Sequence, residues 1–262
     1  MPNAASDVIS SPHNPHIQLV RSLLEQPKAR KKHAAFVAEG ARLIQDGLSS
    51  GCRPREVLYK ITHSPRVEEL LAQLGPQIPA AAVAENLFDD LADTESSQGM
   101  LAVFDIPPTQ IPDPLTLLVI LDQLRDPGNA GTILRTAEAA GAQAVCLTPG
   151  SVDAWSPKVV RAGMGAHFRL PILSFPWEAL AALTEHLTVF LAEMDGRQTL
   201  WEANFNQPCA LIIGGEAQGI SPEGARLATQ TVRIPMVGRN ESLNAAVSTS
   251  ILLYEALRQR SR

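Results

Sequence analysis

Residues 115–148, LTLLVILDQLRDPGNAGTILRTAEAAGAQAVCLT, decide the fold class. LTLLVIL (115–121) is a near-continuous apolar run, the pattern of a strand covered on both faces. The loop DQLRDPG follows. The spacing then predicts Asn129 as N-cap of a helix over AGTILRTAEAA, with Gly141 just past its end. AVCLT (144–148) is the next strand, so the stretch reads as a βαβ unit of a parallel sheet. The alternation continues with a helix near SPKVVRAGMG, strand RLPIL, helix WEALAALTEH and strand LTVFLAEM. Strand CALIIGG, a short helix near PEGARLA, strand VRIPM and a closing helix complete it. Such a sheet places ligands beyond the carboxyl ends of its strands.

Upstream, DIPPTQIPDP (105–114) holds four prolines and reads as a linker. It separates an expected first domain, residues 1–104, from a second, residues 115–262. Periodicity in the first domain alternates between helix (HIQLVRSLLEQ, ARLIQDGLSSG, VEELLAQLG, NLFDDLAD) and strand (AAFVAEG, EVLYK, AAAVAE, GMLAVF). This is the signature of a small α/β sandwich.

At 262 residues and 45% hydrophobic, the chain has ample material for two cores. Cys52, Cys146 and Cys209 lie far apart without a C-x-x-C, which argues against zinc and against a disulfide framework. No metal site is expected. The first residues lack a charged segment followed by an apolar core, so no secretion signal is expected. No apolar run reaches the ~20 residues needed to span a bilayer, and a reducing, cytoplasmic setting is the expectation. Net charge is −5, but its distribution is uneven. Residues 20–60 hold nine Lys/Arg against four acids, whereas residues 61–104 hold one against seven. A basic face on an acidic protein can still meet phosphate.

Three polar clusters end apolar strands. The first runs from Asn129 to Arg135, where a guanidinium on a helix of small residues can reach a phosphate or carboxylate. The second is LIIGGEAQGI (211–220), in which Gly214 and Gly215 allow close backbone approach to a ligand and Glu216 follows. The third is IPMVGRNESLNAAVSTSILLYEALRQR (234–260). There Ser242 sits where an N-cap belongs, and Leu243, Val247, Ile251, Tyr254 and Leu257 repeat at helical spacing. None contains a dinucleotide-binding G-x-G-x-x-G or a P-loop.

In order, N-x-G-x-x-x-R-T-A, G-G-E-A-x-G-I and I-P-M-x-G-x-x-x-S-L-N-A-A-V resemble the three motifs of the SpoU (TrmH-type) RNA 2′-O-ribose methyltransferases of the SPOUT superfamily. The resemblance covers about residues 116–258. The basic N-terminal piece is similar to the ribosomal-protein-L30-like domain that often precedes the catalytic domain. The resemblance implies a parallel-sheet SPOUT domain with a deep trefoil knot, a homodimer, and S-adenosylmethionine bound in the knot. It places Gly214, Ile234 and Leu243 at the cofactor through their backbones, with Gly215 and Met236 beside them. Leu191 to Met194, Ala192 among them, would form another wall. Arg135 matches the family arginine that activates the 2′-hydroxyl. Asn129 and Asn244 would orient substrate and loops, Ser242 would bond near the reacting centre, and Glu216 would hold Arg135 or Asn129. RNA would enter along the L30-like domain at Lys28, Arg30, Lys31 and Lys32. Met164 stands where a serine or alanine is common in the family.

The implied activity is methylation of a ribose 2′-hydroxyl in structured RNA, with ribosomal RNA of the 23S type favoured by the appended domain. A transfer-RNA enzyme, a conventional nucleotide-binding α/β enzyme and a non-catalytic RNA-binding assembly factor remain the alternatives.

Overall fold

The computed structural model describes residues 8–92, 98–108, 110–215, 219–239 and 242–261. The chain forms two compact units, Met1–Pro107 with Trp155–Phe168, and Pro108–Ala154 with Arg169–Arg262.

In the first unit, α1 (Pro15–Glu25), α2 (Pro27–His33), β1 (Ala35–Glu39), α3 (Ala41–Ser49) and β2 (Pro54–Lys60) are followed by α4 (Pro65–Leu74), β3 (Ala80–Val83), α5 (Glu85–Leu91) and β4 (Met100–Asp105). The sheet order is β1-β4-β2-β3, with β4 antiparallel to both its neighbours and β2 parallel to β3. Strand side chains alternate between faces, so each strand serves two cores. Phe36 and Ala38 pack with Ile44, Leu70 and Phe104 on one face. Ala35 and Val37 pack with Ile17, Leu23 and Phe88 on the other.

Helix α2 is an addition to the elements expected from periodicity. Pro27 disfavours helical backbone at the residue before it, and Gln26 is extended (φ −118°, ψ 114°), which ends α1 and lets proline start α2. The turn brings Arg30 under the end of α1, where its Nη1 donates to the carbonyls of Leu23 (2.5 Å) and Leu24 (3.1 Å). Arg30 is only 3% exposed. The expectation that it faces RNA is therefore corrected: this guanidinium caps a helix end from below. Lys28, Lys31 and Lys32 are exposed.

The second unit opens with β5 (Leu117–Asp122), α6 (Pro127–Ala139) and β6 (Ala144–Leu147). The next stretch, Trp155–Phe168, groups with the first unit, although the expected division assigned it to the second. It contains α7 (Pro157–Gly163) and a single 3-10 turn, Ala166–Phe168. Val160 and Phe168 enter the first unit's core, and the Phe168 ring meets Phe104 edge-on at 4.8 Å. Then come β7 (Ile172–Ser174), α8 (Trp177–Leu183), β8 (Thr188–Ala192), the two-residue β9 (Gln198–Thr199), β10 (Cys209–Gly214), α9 (Pro222–Leu227), β11 (Gln230–Arg233) and α10 (Ala245–Arg260).

The seven strands run in the order β7-β6-β5-β10-β8-β11-β9, and every pairing is parallel. All six residues of β5 are buried, as helices on both faces require. Leu118, Ile120, Ile212 and Val189 share one face with Leu180 of α8. Helices α6 and α10 pack together. No helix among the described residues is long and apolar enough to cross a membrane.

Two caps differ from the expectation. Helix α6 starts three residues early, at Pro127, because the Asp126 side chain accepts from Asn129 N at 2.7 Å and proline suits the first turn. Asn129 thus lies inside the first turn. Helix α10 is capped by Asn244, whose Oδ1 accepts from Ala246 N (2.9 Å) and Val247 N (3.2 Å), and Ser242 lies outside it.

Candidate active site

The site is built on the carboxyl ends of β5, β10, β8 and β11, four adjacent strands of the parallel sheet. The register pairs Asp122 at the end of β5 with Gly214 at the end of β10. Beyond it, Gly215 N donates to Asp122 O at 2.9 Å. A Cβ on Gly215 would lie 2.5 Å from Gln123 O, and one on Gly214 would lie 2.8 Å from Gly219 O. Both positions exclude any side chain, because backbone rather than a flexible group fills the space. The second cluster is therefore laid directly on the strand end that leads into the first. The glycines' Cβ directions face the chain itself, not open space for a ligand.

Asp122 fixes this junction, and the sequence reading passed over it. It is wholly buried. Its Oδ2 accepts from Ser221 N at 2.7 Å and its Oδ1 from the Thr148 hydroxyl at 3.3 Å. The Thr148 oxygen in turn accepts from Gln123 N at 3.0 Å. A buried carboxylate is tolerable only with such donors around it. One sequence signal existed: a charged residue closing an uninterrupted apolar run at the ligand-facing end of a parallel strand.

The third cluster meets the first through a side-chain bond. Asn244 uses its Oδ1 to cap α10, which leaves its Nδ2 as donor, and that nitrogen bonds Asn129 Oδ1 at 3.0 Å. The two asparagines are 115 residues apart in sequence. Arg135 lies about 9 Å further along α6 at 1.5 Å per residue. It is exposed, and no hydrogen bond or ion pair is found for it among the described residues. Glu216 lies outside the described residues. Ser242 is exposed and Leu243 half-buried, immediately before Asn244.

Ala192 ends β8 opposite Val232 of β11, and Ile234 follows two residues later. Gly214, Ala192 and Ile234 thus follow one another along three neighbouring strand ends. At ~4.8 Å per strand this edge spans about 10 Å, the scale of a nucleoside. Residues 234–237 form neither helix nor strand, so their backbone polar groups are not committed to a ladder. Met236 (39% exposed) and Met194 (58%) offer polarizable apolar surface there. This combination of irregular backbone and thioether surface suits an adenosine, so S-adenosylmethionine fits the edge in size and chemistry. Among the described residues no group of three His, Cys, Asp or Glu is placed to hold a metal ion.

Known proteins share this arrangement. Residues 116–254 match the model of the SpoU rRNA Methylase family, and residues 14–102 match the MRM3-like substrate binding domain. The protein "rRNA methyltransferase 3, mitochondrial" of Homo sapiens is 32% identical over 312 residues, covering 95% of this chain and 73% of that protein. In Bacillus subtilis, "23S rRNA (guanosine(2553)-2'-O)-methyltransferase RlmP" is 31% identical, covering 88% of this chain and 92% of that one. The crystal structure of the SpoU methyltransferase AviRb from Streptomyces viridochromogenes in complex with AdoMet superposes with a TM-score of 0.85. It is 31% identical and covers 95% of this chain and 98% of that one. The family match spans more than half of the chain and falls on the three clusters that the fold brings together, so this chain belongs to the SpoU rRNA methylase family.

Proposed function

We propose that this protein transfers a methyl group from S-adenosylmethionine to a ribose 2′-hydroxyl of ribosomal RNA. Family membership and the rRNA 2′-O-methyltransferase relatives support the reaction class. The observation that carries it is the bond between Asn129 and Asn244, which closes the first and third motifs over one strand edge.

S-adenosylmethionine supplies a methyl already activated by a positive sulfur, so the protein's task is alignment and charge stabilisation. Backbone groups of Gly214, Ile234 and Leu243, with Gly215, Met236 and Ala192 beside them, hold it along the edge described above. Arg135 cannot serve as a base, because guanidinium stays protonated in proteins. It clamps a substrate phosphate and stabilises the alkoxide charge that develops as the hydroxyl proton leaves to that phosphate. Glu216, which lies outside the described residues, is assigned to hold Arg135 or Asn129. Asn129 and Asn244 fix the loops, and Ser242 donates near the reacting oxygen.

Three further parts of the reading go with it. The C-terminal segment threads a trefoil knot, a reading that rests on the family match and on the likeness to solved SpoU methyltransferases. Two copies associate through α10, whose Val247 (47% exposed) and Tyr254 (54%) lie on one outward stripe. Lys28, Lys31 and Lys32 make phosphate contacts with RNA of the 23S type. We assign the protein to a reducing, cytoplasmic setting. Its three cysteines are unbonded, and burial pushes the Cys146 thiol up to about 12.

Incubation with tritiated S-adenosylmethionine and unmethylated ribosomal RNA tests the reaction. Label should enter RNA, and Arg135→Ala should abolish it while the dissociation constant for the cofactor stays within about threefold (under 0.7 kcal/mol). Equal loss of cofactor binding would contradict this division of labour.

A further inference from the structure

The first unit contains a cavity of about 260 Å³, assembled where β1 turns into α3. Glu39 ends the strand, and Arg42, Leu43 and Asp46 come from the first turns of the helix. Gln98 enters just ahead of β4, and Arg161 and Met164 enter from α7. Two backbone features hold the opening. Gly40 adopts φ +98°, a backbone conformation that residues with a Cβ rarely take, and it brings the turn against the movable Gln98 amide. Met164 adopts φ +45°, a conformation L residues with long side chains rarely take. Left-handed positions of this kind are kept where the surroundings over-determine them, and they cluster at binding sites.

The chemistry of the lining restricts the occupant. Two guanidinium groups face two carboxylates, so the cavity has no net formal charge. Arg161 Nη1 lies 3.5 Å from Glu39 Oε2, which neutralises part of each sign internally. A bare phosphate would meet Glu39 and Asp46 as well as the arginines, which disfavours it. A ligand offering both donors and acceptors on a flat apolar body is suited instead. Gln98 supplies one donor pair and one acceptor, and Asp46 supplies acceptors only. Leu43 and Met164 supply an apolar wall and a polarizable sulfur for a ring face.

Resting on the RNA reading above, we infer that this cavity takes one unstacked nucleobase of the substrate RNA, with guanine preferred. Guanine presents N1–H and N2–H side by side, both of which one carboxylate accepts. Its O6 then faces Gln98 or Arg42. RNA-specific recognition generally works on such splayed bases through their Watson–Crick edges. The site lies in the unit that matches a substrate-binding domain and is built from residues outside the three motifs. It selects substrate and takes no part in methyl transfer.

Asp46→Asn and Gln98→Ala test it, both at half-buried or exposed positions. Methyl transfer to ribosomal RNA transcripts should show KM raised about tenfold in each variant, with kcat and cofactor affinity unchanged. Saturation-transfer NMR on the wild-type protein should detect guanosine 5′-monophosphate more strongly than cytidine 5′-monophosphate, and the signal should fall in both variants. A KM within twofold of wild type, or a guanosine signal that is absent or unaffected by the substitutions, overturns the assignment. Should the wild-type protein methylate no RNA, the proposed reaction fails, and the NMR comparison still decides the cavity by itself.

Discussion

Asp122 shows how much one buried side chain can govern. It has no solvent contact, and its two oxygens satisfy a backbone N–H at the head of α9 and the Thr148 hydroxyl. Gly224 approaches so closely that a Cβ there would lie 2.8 Å from Asp122 Oδ2. Asp122→Ala would leave Ser221 N–H buried without a partner, a cost of about 1–3 kcal/mol. The head of α9 would lose its side-chain tie to β5, leaving only the Gly215 N–Asp122 O bond to hold the end of β10 beside the cofactor edge. We expect a urea midpoint lowered accordingly and cofactor affinity weakened at least tenfold. Asp122→Asn keeps an acceptor for Ser221 N–H and should lose much less of both. If Asp122→Ala unfolds and binds cofactor like the wild type, Asp122 is not the tie. Arg30 is the opposite case, a charge that the sequence presents as part of a basic run. Its burial depends on the carbonyls that end α1, and those are oriented by a turn that periodicity alone does not reveal.

At the scale of elements, period and breakers located nearly every helix and strand, because apolar spacing reports an element's type directly. What periodicity does not report is which apolar stripe faces inward. On α10 the repeat Val247, Ile251, Tyr254 is real, yet Val247 and Tyr254 are about half exposed. The buried side is Ala245, Ala246, Thr249, Leu252, Leu253, Glu255 and Ala256, and the helix packs on α6. A helix apolar on two sides has two partners to satisfy, and a second copy is the one assigned here. Asn129 and Asn244 were legible as polar residues at element ends, but their bond to each other joins distant stretches that only the folded sheet brings together. Val247→Glu with Tyr254→Glu should break the proposed dimer. An anchor residue in a packed centre contributes about 2 kcal/mol, so losing even one should raise the dissociation constant about thirtyfold. Sedimentation equilibrium would then report a monomer with unchanged far-ultraviolet circular dichroism. A double variant of dimeric mass would place the contact elsewhere.

The whole molecule does not divide where its sequence suggests. A proline-rich stretch at 105–114 is a sound linker by composition, but composition cannot reveal that a later segment returns to an earlier core. Trp155–Phe168 leaves the second unit between β6 and β7 and completes the first. Phe168 and Val160 are buried there, Trp155 lies 5.0 Å from Phe36, and Gly47 of α3 leaves room for the Phe168 ring, since a Cβ would sit 2.8 Å from it. Removing a buried phenylalanine alone costs about 3–5 kcal/mol, and a small domain has only about 5–15 kcal/mol in total. The fragment 1–107 therefore lacks part of its own core. Expressed alone, it should bind a hydrophobic dye and melt without a sharp transition. The same fragment with residues 155–168 attached through a flexible linker should regain cooperative unfolding followed by circular dichroism. Were fragment 1–107 to melt as sharply by itself as it does with the added segment, the segment would be a passenger on that core and not a component of it.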